Sequence, residues 1–166
     1  MDVNILIVFL AALVPLLVGF IWYNPKVFGT IWMKATGMTE ESAKNANMFK
    51  MMGLTFVFAF LVAFILQPMV IHQFGVFSIL GMQPDSADPN SESSTMFKHF
   101  MDLYGTSYRT FKHGAFHGTL AGIFLITPII GTSALYEQRS FKYVAITAGY
   151  WIVSMGLMGG ILCAFA

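Results

Sequence analysis

The fold class this sequence predicts is all-α: a polytopic membrane protein, a bundle of four transmembrane helices with a short interfacial helix in the first loop. Three observations carry that prediction. Of the 166 residues, 57% are hydrophobic and 10% charged, with a mean hydropathy of +0.70; a soluble domain carries roughly 25% charged residues. Four stretches, near residues 3–23, 51–71, 112–136 and 143–165, reach the ~20 apolar residues that cross a hydrocarbon core of ~30 Å. Seventeen Phe, twelve Met and fifteen Gly suit helices packed in lipid, where Phe and Met fill gaps and Gly lets backbones approach. The chain, 1–166, reads as a single membrane domain.

Span one contains Pro15 and Gly19 and no charge. Asp2 stands where a signal peptide would carry positive charge, and no small-residue cleavage site precedes Asn24-Pro25, so this stretch is read as a retained span. In the first loop, Val27, Phe28, Ile31 and Trp32 form an apolar patch at helical spacing with Lys34 beside it, the pattern of an interfacial helix. A more polar helix follows, with Thr39 as its cap. Span two includes Thr55, Gln67 and Pro68. The polar loop 73–111 holds a solvated stretch at 83–95, of disorder-type composition, then a short amphipathic helix at 96–104. Span three has His113 and His117 near its start and Pro128 in its second half. Prolines within spans are read as kinks or local unwinding. The third loop, 137–142, is brief enough to make spans three and four a tight antiparallel hairpin.

Charge sets the expected orientation. Loops one and three hold Lys26, Lys34, Lys44, Lys50, Arg139 and Lys142; loop two holds Lys98, Arg109 and Lys112. Positive residues accumulate on the cytoplasmic side, which places both termini outside and assigns Trp22, Tyr23 and Tyr136 to a cytoplasmic-side aromatic belt. The dispersed basic residues and net charge of +1 give no sign of a nucleic-acid partner. The single Cys163 excludes an intramolecular disulfide framework and, with no histidine near it in sequence, reads as a packing residue. No GxSxG, HExxH or P-loop is present, and no charged residue stands near the middle of a span, which argues against an ion-coupled pump.

Histidine is the residue type most able to carry chemistry here. His72 lies at the exit of span two, His113 and His117 are four apart on one helix face, and His99 precedes Asp102 by three; all belong at the outer end. Four imidazoles and a carboxylate are donors able to bind zinc, copper or another transition metal, or to relay protons; no cofactor is predicted from the sequence beyond that possible metal. The competing reading is a set of interfacial histidines hydrogen-bonded to neighbours. Gly114, Gly118 and Gly122 form a GxxxGxxxG run on span three, and Gly149, Gly156 and Gly160 a similar stripe on span four, both read as helix-packing surfaces. Tyr150 and Trp151, near mid-membrane, are expected to pack against span three; with Thr119, Thr127, Thr147 and Ser154 they are also the residues that would line a solute path. Glu137-Gln138-Arg139 is read as an interfacial anchor.

The stretch from Gly19 to Trp32, with Trp22-Tyr23-Asn24-Pro25, Phe28-Gly29 and Trp32, resembles the N-terminal signature of the DUF1761 family of small bacterial membrane proteins. The likeness continues through His113–Gly122, Glu137 and Arg139, Gly149-Tyr150 and Met158-Gly159-Gly160, and it is weakest at 83–95. Asn24 replaces the usual serine. The resemblance implies a four-span architecture in a prokaryotic cytoplasmic membrane and no assigned activity. Trp22, Tyr23, Pro25, Phe28, Gly29, Trp32, Glu137, Arg139, Gly149 and Tyr150 are carried over as pattern positions, not catalytic residues.

The function expected first is therefore non-enzymatic: a membrane protein that contacts lipid and associates with itself or with another membrane protein. A carrier or channel for a small or amphiphilic solute comes second. A metal-binding membrane enzyme using the outer histidines comes third.

Overall fold

The computed structural model describes residues 4–166; Asp2, and Val3 at the expected start of span one, lie outside the described residues. Four helical spans are long and apolar enough to cross a membrane: Ile5–Trp22, Met48–Val70, Phe111–Tyr136 and Phe141–Phe165. Span one is two helices, α1 (Ile5–Ala12) and α2 (Val14–Trp22), broken at Leu13 just ahead of Pro15, which has no N–H to give the helix ladder. In the first loop, α3 (Gly29–Thr36) ends at Gly37, whose φ of 73° is left-handed. The polar α4 (Glu40–Lys44) begins with a capping box in which Thr39 and Ser42 bond each other's backbone N–H. Span two is α5 (Met48–Val70).

The loop between spans two and three holds more helix than its composition suggests. Helix α6 (Gln73–Val76) runs into a π-helical turn, Phe77–Gly81. Residues 83–91 form successive turns closed by backbone bonds. Helix α7 (Glu92–Tyr104) starts ahead of the expected 96 because Ser91 caps it, accepting from Ser94 N, while Ser94 Oγ donates to Ser86 O.

Span three unwinds as its proline requires. Helix α8 (Phe111–Ala121) passes into a π-helical segment, Gly122–Ile126, and then α9 (Thr127–Tyr136), with Pro128 in the first turn of α9. Pro128 cannot bond back into the preceding turn, so the ladder shifts register; Gly122 O accepts both the backbone N–H of Thr127 and, at 2.9 Å, its Oγ1 hydroxyl. Span four, α10 (Phe141–Phe165), is unbroken.

Span four is the axis of the bundle. It packs against the other three, and 56% of its apolar window is buried, against 17–28% elsewhere, so the outer spans turn their remaining faces to lipid. The closest approach is to span three. A Cβ on Gly114 would strike the carbonyl oxygen of Gly159, one on Gly118 that of Met155, and one on Gly122 would lie 2.7 Å from Ile152 Cα. From the other side, Gly156 clears Thr119 and Gly160 clears the Phe111 ring. The far end of α10 is held by Arg109, whose guanidinium donates to Cys163 O at 2.8 Å and also to Ala166 O, two of the carbonyls a helix end leaves without partners.

Gly118→Ala should therefore force the two backbones apart and lower stability by about 1–3 kcal/mol, despite alanine's better helix propensity of ~1 kcal/mol. Gly131→Ala, where nothing lies within 4 Å of the added methyl, should cost nothing. Thermal unfolding in detergent checks the pair, and equal melting temperatures would contradict the packing role.

Candidate metal centre

The chain leaves α5 at Val70, and Ile71 turns it in an extended conformation, φ −113°, so that His72 sits on the corner preceding α6. Gln73, 4% exposed, fixes that corner: its Nε2 donates to Tyr104 O and to Ser107 O, both at 2.9 Å. The corner is thereby tied to the loop that enters span three. Thr110 caps α8 by accepting from His113 N, which orients the first turn carrying His113, and His117 follows one turn later on the same face.

These elements bring three imidazoles together. One nitrogen of each of His72, His113 and His117 lies within 4.8 Å of one from each of the others. His72 Nε2 and His113 Nε2 are 2.9 Å apart, and the ring of His117 is centred 4.9 Å from that of His72 and 4.5 Å from that of His113. A tetrahedral zinc with Zn–N of ≈ 2.0–2.1 Å sets its nitrogens roughly 3.3 Å apart. The His72–His113 nitrogens are slightly closer than that and all three lie within 4.8 Å of one another, close enough for side-chain rotations to form a ligand set.

His72 is exposed and the other two are half-buried, so the cluster is open on one side. That side adjoins a pocket of about 570 Å³ lined by His72, Gln73, Phe100, Tyr104, Ser107 and Tyr108. Tyr108 holds a left-handed backbone, φ 62°, with its ring centred 5.1 Å from that of His113. A tyrosine kept in that conformation costs of order 1–3 kcal/mol, strain of the kind that collects at functional sites.

Three of the five residues grouped from sequence thus converge. His99 and Asp102 lie on exposed positions of α7, apart from the nitrogen cluster. Gln73 had no signal in the sequence, since its role depends on carbonyls more than thirty residues away. Cys163 is buried, its thiol 3.2 Å from Val70 O and 3.3 Å from Tyr108 O, and is not among the clustered donors.

The pattern positions gather at the opposite end. Trp22 Nε1 donates to Ile146 O at 3.0 Å, its ring lies against Phe28, and a Cβ on Gly149 would come within 2.9 Å of it. Tyr23 packs against Trp32 and Tyr150, and burial pushes its phenol above the ordinary range. Trp22 and Tyr23 therefore face the bundle rather than forming a lipid-facing belt; Tyr136 is 88% exposed. A Cβ on Gly29 would strike Tyr23 O, and Thr30 Oγ1 donates to Pro25 O, so this turn is built tightly. Arg139 pairs with Glu137 at 3.3 Å and donates to Thr36 O at 3.0 Å, joining α3 to the last hairpin. Tyr150 departs from expectation: its hydroxyl donates to Pro15 O at 3.0 Å, so its partner is span one, where its ring lies against Gly19. Of the remaining polar span residues, Thr127 bonds its own helix, while the hydroxyls of Thr147 and Ser154 are buried without a partner.

Comparison with known proteins agrees with the signature. The model of the family described as "Protein of unknown function (DUF1761)" matches residues 6–163, and the chain belongs to that family. No curated protein and no solved structure matches it.

Gln73→Leu should remove two hydrogen bonds, leave Ser107 O unpaired and Tyr104 O with only the Ser107 N–H, and cost roughly 1–3 kcal/mol. Faster amide exchange across residues 104–110 in the variant, unchanged in His99→Ala, is the expected observation. Unaltered exchange would mean that Gln73 does not hold the corner.

Proposed function

We propose that this membrane-embedded protein binds one transition-metal ion through His72, His113 and His117. The observation that carries the reading is the convergence of three imidazole nitrogens from two separate segments, within 4.8 Å, beside an open pocket. Imidazole suits zinc, copper, iron and nickel; zinc is the ion favoured here, because three histidines with a free fourth position form a familiar zinc geometry. His72 also lines the pocket, so water or a small ligand could reach an ion held there. Zinc, if bound, would supply Lewis-acid activation of such a ligand, chemistry suited to hydrolysis or hydration.

The charge distribution supports an orientation in which this centre is on the outer face of a prokaryotic cytoplasmic membrane, with both termini outside and the pattern-bearing end toward the cytoplasm. The single-domain reading belongs to the same proposal.

Protein purified without chelators and then titrated with zinc should bind one equivalent. His113→Ala with His117→Ala should reduce this at least a hundredfold in affinity, His72→Ala should weaken it, and His99→Ala should have no effect. Thermal unfolding of the metal-free variants separates lost ligands from lost fold. Binding well below one equivalent by the wild type, or equal binding by the double variant, would defeat the proposal.

A further inference from the structure

At the end of the bundle opposite the histidines, a groove of about 600 Å³ lies between α3 and the beginning of α10. Its floor is apolar, formed by Phe28, Ile31, Ala145 and Ile146, and two cations, Lys34 and Lys142, stand on its rim. No acidic residue lines it. Both lysines are exposed, and neither is paired with a carboxylate among the described residues. Arg139 holds α3 in place through Thr36 O, so the groove is preformed. The first turn of α10, capped by Ser140, adds the positive end of a long helix.

We infer that this groove is a binding site for an anionic phospholipid, with the acyl chain on the apolar floor and the headgroup phosphate between Lys34 and Lys142. The charge complementarity selects the occupant. A zwitterionic lipid would meet the same floor but bring its own cation to two lysines, whereas a net negative headgroup neutralises them. The position fits as well, because α3 carries the apolar patch of an interfacial helix and Lys142 stands one residue inside the start of a membrane span. The site is independent of the metal centre, which lies at the other end of the bundle.

The test uses the full chain in detergent, with phosphatidylglycerol and phosphatidylcholine of matched acyl chains, and native mass spectrometry to count bound lipid. Wild-type protein should retain phosphatidylglycerol in preference. Each lysine near an anionic surface is worth about a fivefold effect, so Lys34→Gln with Lys142→Gln should weaken that binding about thirtyfold. Lys98→Gln with Lys112→Gln, at the other end, should leave it unchanged. Ala145→Trp, which fills the groove and keeps both lysines, should also release the lipid. Equal retention of the two lipids by the wild type, undiminished binding in the groove variants, or an equal loss in the Lys98/Lys112 control would each overturn the inference.

Discussion

The backbone contact between spans three and four decides how the rest of the chain is arranged. Gly114 and Gly118 lie one turn apart on α8 and rest on the carbonyls of Gly159 and Met155, a separation that no larger residue permits. His113 and His117 have the same spacing and precede those glycines by one residue, so their stripe is rotated by ~100° around the same helix. Fixing the glycine stripe against span four therefore fixes where the histidines point. They face the exit of span two, where the bond pair from Gln73 has set His72 on its corner. The proposed metal site draws on two segments and needs both to be held; one is held by backbone packing and the other by a buried amide.

The same demand, that polar groups in hydrocarbon find partners, organises the other end. Tyr150 donates to Pro15 O, close to the break in span one, and Trp22 donates to Ile146 O on span four. Trp22 fits because Gly149 faces it, where an added Cβ would come within 2.9 Å of the ring, while Tyr150 lies against Gly19 in ordinary contact. In this chain the signature residues therefore interlock, aromatic ring against aromatic ring and Trp22 against Gly149. Span one is bound to span four by these contacts, and span three by its glycines. Lipid-facing surfaces can then remain simple, with Phe and Leu side chains left exposed along the outer spans.

Much of this architecture was legible in the sequence because hydropathy and caps are local signals. The four spans fall within a few residues of their predicted bounds, and Thr39 caps α4 as its spacing implies. What was not legible rests on contacts between distant segments. Gly159, which faces Gly114 and Gly118, is outside the i, i+4 series of Gly156 and Gly160, and only the hairpin's register reveals it. Gln73 reads as one more polar loop residue until Tyr104 O and Ser107 O are seen to be its partners. Tyr150 meets span one rather than span three, a choice periodicity cannot make because it places a residue on a face without saying which span that face meets. Convergence of the histidines is of the same kind: spacing joined His113 to His117, but only the fold adds His72 and leaves His99 and Asp102 on the solvent face of α7.

The composition of the histidine cluster also constrains what it could serve. Three neutral imidazoles would leave a divalent ion with its full charge, since no carboxylate or thiolate joins the clustered donors among the described residues. An ion in that state favours an anionic fourth ligand, whether hydroxide or an oxygen of a small acid. The adjoining pocket agrees with that preference, for Gln73, Tyr104, Ser107 and Tyr108 contribute polar groups and no negative charge. Phe100 supplies an apolar wall, so the fitting ligand is small, oxygen-rich on one side and uncharged on the other. In the site proposed above, exposed His72 would leave a bound ion accessible, with the strained Tyr108 beside the cluster, an arrangement suited to ligand exchange rather than to storage.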